Sequence, residues 1–178
     1  MTDKKEAEVK WEDWQKKRVF VREVAGKYEE IFKTLQDQPR VYKGKDRKFK
    51  GGPTEFNKHM VSPKDTITQA MHCHIVVLAP GQYGQNHGHM NSAVMYVLEG
   101  KGHDIHDGVR YEWEAGDAVL VGNARVHQHF NDSKTHPARI LVIKPKPLVM
   151  FLDLFHQKTV SYPPEKPLPG FENFRPAD

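Results

Sequence analysis

The sequence predicts an all-β domain, an antiparallel sandwich or barrel, and three observations support this prediction. From Met60 onward, apolar and polar residues alternate with a period of two, as on strands that bury one face. The strand-like runs are short and recur about every 8–12 residues. Turn residues such as Asp107-Gly108 and Gly122-Asn123 separate them. A chain of 178 residues is long enough for one such domain to bury a proper core.

The N-terminal part of the chain has a different pattern. Residues 9–36 carry apolar side chains at three- and four-residue spacing, which predicts one or two helices that cover a sheet or pack on a partner subunit. Residues 36–53 are polar, basic and punctuated by glycine and proline, which is typical of a loop. We therefore predict a helical extension with a basic loop over 1–58 and a barrel over 59–147.

Within the barrel, the predicted strands lie at 67–80, 92–100, 118–121, 126–131 and 138–143, with a hairpin at 102–113. Asp107-Gly108 at the tip of the hairpin is a strong signal for a type I′ turn. Residues 148–155 are apolar enough for a short buried helix. The proline-rich tail to residue 178 is predicted to be extended and to lie across the domain or a neighbour, so that 148–178 belongs to the same folded unit.

Composition and charge narrow the class of protein. The single cysteine, Cys73, excludes an internal disulfide framework and fits a reducing compartment. No secretory signal or membrane-spanning run is present, so we expect a cytoplasmic protein without a membrane partner. The basic excess is local, because Met1–Lys58 has sixteen Lys or Arg against eleven Asp or Glu. No nucleic-acid motif accompanies it, so a solvated loop at 40–50 is favoured over nucleic-acid binding.

Histidine is concentrated in the centre of the chain, with nine of the eleven histidines between His72 and His136. His87 and His89 are two residues apart, which on a strand places both imidazoles on one face. His127 follows in a later strand-like run. Two histidines on one strand and a third on a distant strand can converge on one metal ion.

The first histidine block resembles a motif of the cupin superfamily, commonly written G-x5-H-x-H-x3-4-E-x6-G. Its glycine and histidine positions are filled by Gly81, His87, His89 and Gly100. The glutamate position falls at Ala93 or Val94, and neither side chain can bind a metal.

The second block resembles the other cupin motif, G-x5-P-x-G-x2-H-x3-N. Gly116, His127 and Asn131 match it, whereas Gly122 and Ala124 replace its proline and second glycine. The resemblance covers roughly residues 70–145 and implies a single cupin barrel, that is, a double-stranded β-helix or jelly roll. It also implies a metal held by His87, His89 and His127.

The phrases HGHMNSAVMYVLEG and GD…HQHFN look like the gentisate 1,2-dioxygenase branch of that superfamily. Members of the branch hold Fe(II) with three histidines and lack the glutamate, although they typically have two cupins where this chain has one. The resemblance implies an Fe(II) dioxygenase, with Mn, Ni or Zn as other metals, that cleaves the ring of a hydroxylated aromatic acid or similar chelator. A site without a carboxylate ligand keeps the full charge of the ion and therefore favours an anionic chelating substrate.

Other residues are candidates for roles around the metal. His129 shares the inward face of His127 and is predicted to hydrogen-bond substrate or oxygen, with a fourth-ligand role as the alternative. Arg125 is the favoured partner of a substrate carboxylate. The remaining candidates for the substrate pocket are Gln85, Tyr96, His74 and Trp113.

The neighbours of these residues have simpler expected roles. Asn131 is expected to be structural. His72 and His74 flank Cys73, and lining the pocket is favoured over a second metal site. His103, Asp104 and His106 are expected to be exposed near the hairpin turn.

Two other functions stay open at this point. One is a metal-dependent lyase, decarboxylase or isomerase that uses Mn, Ni or Zn and consumes no oxygen. The other is a non-enzymatic cupin that binds a small molecule, since a fold does not determine function. The apolar N-terminal pattern and the proline-rich tail would suit a homo-oligomer, a dimer or a tetramer.

Overall fold

The computed structural model describes residues 33, 36–63, 65 and 70–178. The chain divides into two compact units, Met1–Gln38 and Pro39–Asp178. In the first unit, Lys33 and Gln36 are helical, and the Asp37 N–H donates a hydrogen bond to the Lys33 carbonyl at 2.9 Å. The rest of the predicted N-terminal helices lies outside the described residues.

The second unit is built from strands, which confirms the all-β prediction. The described strands are β1 (Lys50–Gly51), β2 (Glu55–Val61), β3 (His72–Leu78), β4 (Asn86–His89), β5 (Ala93–Glu99), β6 (Lys101–His106), β7 (Val109–Glu114), β8 (Ala118–Val121), β9 (Val126–Asn131), β10 (Ala138–Lys144) and β11 (Gln157–Ser161). They form a six-stranded sheet, in the order β1-β2-β3-β10-β5-β8, and a five-stranded sheet, in the order β11-β4-β9-β6-β7. All neighbouring strands are antiparallel, as in a jelly roll.

The apolar core follows from the two-residue alternation along the strands. Val142 of β10 pairs with Met95 of β5, and Ile140 pairs with Val76 of β3. These side chains are buried, whereas their sequence neighbours point to the other face of the sheet. The buried cluster consists of Val76, Leu78, Ala93, Met95, Val97, Trp113, Val121, Ala138, Ile140 and Val142.

Two local predictions are confirmed in detail. Asp107 and Gly108 both have positive φ, 48° and 87°, as a type I′ turn requires. Asn131 is structural: its buried Nδ2 donates to the carbonyls of Ala79 at 3.1 Å and His136 at 2.8 Å, and its Oδ1 accepts from the Ser133 N–H at 3.0 Å. The amide therefore ties the end of β9 to the loop after β3.

The sheets extend beyond the predicted barrel range on both sides. Strands β1 and β2 precede or overlap its start, and β11 adds an edge strand to the five-stranded sheet next to β4. The short helix is Lys146–Phe151 and thus begins before the predicted 148–155. The sequence pattern missed β11 because its five residues lie in a polar, proline-rich context.

The C-terminal tail packs on the outer face of the six-stranded sheet. The Phe174 ring meets the Phe56 ring edge-on at 5.8 Å. The carboxylate of Asp178 accepts a hydrogen bond from Lys48 Nζ at 2.6 Å, so the tail also neutralises part of the basic stretch. In the described part of the chain, no helix combines the length and the apolar character needed to span a bilayer.

Candidate metal centre

Three histidines come together between the two sheets because β4 and β9 are neighbours. His87 of β4 lies directly opposite His127 of β9 in the register, and His89 lies two residues further along the same face of β4. The ring centroid of His127 is 4.4 Å from that of His87 and 4.8 Å from that of His89. One ring nitrogen from each histidine lies within 4.8 Å of the others, which is close enough to hold one metal ion.

The backbone sets the tautomer of all three rings. Each Nδ1 atom faces a main-chain carbonyl two residues away, and a carbonyl can only accept, so each Nδ1 carries the proton. Each Nε2 atom is thereby left with a free lone pair, the form in which imidazole binds a metal. The Nδ1-to-carbonyl distances are 3.2 Å from His87 to Gln85, 2.7 Å from His89 to Asn91, and 3.0 Å from His127 to Arg125.

Burial keeps these histidines uncharged. It lowers the pKa of His87 to about 3, that of His89 to about 4 and that of His127 to about 2, and hydrogen bonds to the main chain only partly offset it. At neutral pH no proton therefore competes for the lone pairs. The protonation states and orientation of the three residues fit a divalent metal that accepts nitrogen ligands.

His129 lies beside the centre, with its ring centroid 5.2 Å from that of His127. Its Nδ1 is 2.9 Å from Oδ2 of Asp104, an ion-pair contact that is not aligned as a hydrogen bond. Burial alone would lower the pKa of His129, but the charge of Asp104, its close contact with the ring and the charge of Glu55 together outweigh burial and raise the pKa above its usual value. His129 thus differs from the three neutral histidines in favouring the charged form.

The Asp104 carboxylate contacts three side chains on this side of the site, those of His106, Trp113 and His129. The sequence analysis did not predict this role. The prediction that Asp104 is exposed is wrong, because β6 pairs with both β7 and β9 and the side chain is fully buried. Its oxygens accept hydrogen bonds from Trp113 Nε1 at 2.8 Å and His106 Nε2 at 3.1 Å. Burial would raise the pKa of Asp104, but the charge of His129 and these hydrogen bonds hold it well below its usual range. The local sequence carried no signal for this role, because the burial of Asp104 comes from the strands that pack on both sides of β6.

His103 also departs from the prediction of exposure. It is buried, its ring stacks on Phe130 at 4.5 Å, and its Nδ1 lies 2.9 Å from Asp132 Oδ1.

Arg125, the predicted partner of a substrate carboxylate, and Tyr96, a predicted pocket residue, lie away from the centre. The Arg125 side chain is 61% exposed and pairs with Asp107 at 2.8 Å, so it does not join the histidines. Only the main-chain carbonyl of Arg125 contributes to the site, because it accepts a hydrogen bond from Nδ1 of His127. Tyr96 is 46% exposed on the outer face of β5, because its neighbour Met95 fills the core.

The other three predicted pocket residues are Trp113, Gln85 and His74. Trp113 is buried in the core and supports the site through Asp104. Gln85 precedes β4 in the chain, and its Oε1 accepts a hydrogen bond from Thr159 Oγ1 at 3.4 Å. His74, also predicted to line the pocket, is buried on the inner face of the opposite sheet.

His74 belongs to a ladder of three stacked imidazoles on β2 and β3. The His72 and His74 ring centroids are 4.8 Å apart and nearly parallel, and His59 stacks on both. Nδ1 of His59 lies 2.9 Å from Nε2 of His72. Because these rings stack on one another, their nitrogens do not converge as those of His87, His89 and His127 do. Cys73 is not part of the stack.

Lowering the pH below about 6.5, the ordinary histidine pKa, is expected to destabilise the metal-free protein. Burial lowers the pKa of His72 to about 2 and that of His74 well below 6.5. The unfolded chain then binds protons that the folded chain does not, so stability is full above pH 6.5 and falls as the pH drops. Each histidine contributes about 1.4 kcal/mol per pH unit to this loss.

Urea unfolding of the metal-free protein at pH 7, 6 and 5 measures this dependence. The variant His74→Leu should show a shallower loss of stability with falling pH, whereas the exposed control His136→Leu should keep the wild-type slope. Equal slopes in the two variants would contradict the prediction.

The two facing sheets, with histidines converging between them, define a cupin barrel. Residues 74–144 match the cupin domain family, so this part of the chain is a cupin domain. The chain is also similar to 5-aminosalicylate 1,2-dioxygenase from a Comamonas species, with 26% identity over 91 residues. That alignment covers 51% of this chain and 24% of the dioxygenase, so this chain spans about a quarter of the curated relative's length.

Solved structures with a similar fold include salicylate 1,2-dioxygenase from Pseudoaminobacter salicylatoxidans in an adduct with gentisate. Its TM-score is 0.56 at 18% identity, over 65% of this chain and 31% of that protein. An oxalate decarboxylase has a TM-score of 0.58 at 18% identity, over 70% of this chain and 33% of that enzyme. At this identity the likeness concerns the fold alone, and cupins of different chemistry share it.

Proposed function

We propose that this protein is a mononuclear non-haem Fe(II) dioxygenase that cleaves the ring of a hydroxylated aromatic acid of the salicylate or gentisate kind. One observation carries the proposal: three neutral histidines converge with their Nε2 lone pairs free, and no carboxylate accompanies them among the described residues. The similarity to 5-aminosalicylate 1,2-dioxygenase supports the choice of reaction.

His87, His89 and His127 would hold the iron through Nε2. When bound, Fe(II) supplies Lewis acidity toward the substrate oxygens and the electrons needed for chemistry with O2. Three neutral imidazoles leave the full ionic charge in place, which favours a substrate that presents an anionic pair of oxygens. Ala93, at the position where the cupin motif has glutamate, is buried on the inner face and adds no negative charge.

His129 would act on the substrate or on oxygen as a hydrogen-bond donor. The buried Asp104 carboxylate lies 2.9 Å from Nδ1 of His129, and this ion pair favours a proton on the ring. A charged donor beside the reacting atoms stabilises negative charge as it develops there. This is the role that the sequence predicted for His129, whereas the side chain of Arg125, the predicted partner of a substrate carboxylate, points to solvent.

Oxygen uptake by Fe(II)-reconstituted protein tests the proposal directly. The substrate panel comprises gentisate, salicylate, 1-hydroxy-2-naphthoate, hydroquinone, catechol and 2-hydroxyacetophenone. Because both atoms of O2 enter the ring-opened product, we expect one O2 consumed per molecule of one aromatic acid, without an added reductant. The Zn(II)-loaded protein is the control and should consume none.

Absence of uptake with every compound, from protein shown to contain iron, would contradict the proposal. It would favour a non-oxidative metal enzyme or a binding protein, the two alternatives that the shared fold with an oxalate decarboxylase leaves in place. The homo-oligomer stays a prediction that light scattering can test.

A further inference from the structure

Lys144 is the last residue of β10, and it faces the interior of the barrel. Ile140 and Val142, at alternate positions before it, are both buried in the core between the sheets, so the two-residue period places Lys144 on the same face. The charge of its ammonium acts on histidines of both sheets, which locates it between them. These histidines are His72, His74, His87, His89 and His129.

Among the described residues, none forms a direct hydrogen bond or ion pair with the side chain of Lys144. Burial lowers the pKa of Lys144 to about 8, and the charge of Glu55 only partly offsets that effect. The Glu55 carboxylate accepts instead from Asn57 Nδ2 at 2.9 Å and from the Gln85 N–H at 3.3 Å. A desolvated ammonium without a partner is costly, and an anion that enters the barrel would relieve the cost.

A second amine lies at the same end of the barrel. Lys146 is buried, with its Nζ 4.5 Å from the centre of the Phe155 ring and 3.4 Å from Gln157 Oε1. Burial and the charge of Lys144 together lower the pKa of Lys146 to about 7. Two amines that repel each other in a desolvated place are both stabilised when a single anion lies near them.

The residue across from Lys144 is uncharged. The register between β10 and β5 pairs Val142 with Met95 and Ile143 with Val94, and its next step brings Lys144 opposite Ala93. Ala93 is buried and offers only a methyl group. On the other side, Lys144 pairs with His72 of β3, so neither neighbouring strand places a carboxylate opposite the ammonium. His72 and His74 also face the interior, and the Nδ1 atom of each is buried without a hydrogen-bond partner among the described residues.

We propose that Lys144, supported by Lys146, His72 and His74, forms an anion-binding subsite that takes the carboxylate of the substrate. The subsite depends on the proposed function in one respect, because the proposed function identifies the aromatic ring that carries this carboxylate. It predicts that acids are bound in preference to neutral analogues that offer the same oxygens for chelation. Lys144 is then the residue that determines specificity for an acid, a role that sequence reasoning had assigned to Arg125.

Binding to Zn(II)-loaded protein tests the subsite without turnover. The probes are salicylate and its neutral analogue salicylamide, titrated by calorimetry into the wild type and into Lys144→Met, Lys144→Arg and Lys101→Met. Lys101 is exposed on β6 and serves as the matched control. We expect Lys144→Met to reduce the preference for salicylate roughly ten- to a hundredfold, the range for hydrogen bonds to charged groups. Lys144→Arg should keep much of the preference, and Lys101→Met should keep all of it.

An unchanged preference in Lys144→Met, or no preference in the wild type, would overturn the subsite. If the preference depends on Lys144 but no aromatic acid supports oxygen uptake, the subsite stands and the proposed dioxygenase reaction fails.

Discussion

Replacing His87 or His127 by alanine is expected to abolish stoichiometric metal binding. The two rings face each other across β4 and β9 with centroids 4.4 Å apart, so each supplies one of three nitrogen donors. Loss of a donor should weaken metal binding by at least the roughly 10–100-fold that loss of an outer partner of a ligand costs. Metal content of Fe(II)-reconstituted protein, measured by mass spectrometry after desalting, should fall from one ion per chain to a small fraction.

The matched control for this experiment is His136→Ala, which removes an exposed histidine outside the centre. It should bind metal as the wild type does. Normal metal content in both His87→Ala and His127→Ala would show that the three-histidine assignment is wrong. Circular dichroism of the same samples separates loss of metal from loss of fold, which is needed because the His127 side chain is fully buried.

Replacing His129 by alanine is expected to leave metal binding largely intact and to lower turnover roughly 10²–10⁴-fold, the usual contribution of a positioned acid or base. The ring lies beside His127 but is paired with Asp104, and it is not one of the residues whose nitrogens converge. Its loss should therefore affect kcat far more than substrate affinity. Steady-state oxygen uptake and metal content, measured on the same preparation, give both values.

Asp104→Asn tests the same role through the partner of His129. Removing the carboxylate charge removes the effect that raises the pKa of His129, so the ring should lose its proton at a lower pH than in the wild type. The pH profile of kcat is expected to shift to lower pH on its basic limb. Loss of metal in His129→Ala would instead place His129 among the ligands, as the alternative prediction held.

Sequence patterns predicted the elements near the histidines closely because those elements are specified locally. The predicted 118–121 and 126–131 coincide with β8 and β9, where β-branched and polar residues alternate between clear turn signals. The tip of the 102–113 hairpin was predictable because a type I′ turn demands residues that tolerate positive φ. Strand β11 was not predictable from the sequence, because a short polar edge strand takes its conformation from its partner, here β4.

The roles of single side chains around the centre were harder to predict. Arg125 and His127 are two residues apart, but the strand has only begun at Val126, so Arg125 turns away to Asp107. Asp104 looked like a residue near an exposed turn, yet two neighbouring strands cover it. Whether a polar residue is exposed depends on what packs against it, which the local sequence does not contain.

By itself, the sequence determined that this chain is an antiparallel β domain with His87 and His89 on one face of a strand and His127 on another. Those conclusions need only the two-residue period of a strand and the spacing of the motifs. The tertiary structure alone decided that Asp104 holds His129 and that the unpaired Lys144 faces the same interior. Both depend on which strands become neighbours and on how completely the two sheets exclude water, and desolvation is what gives these charges their strength.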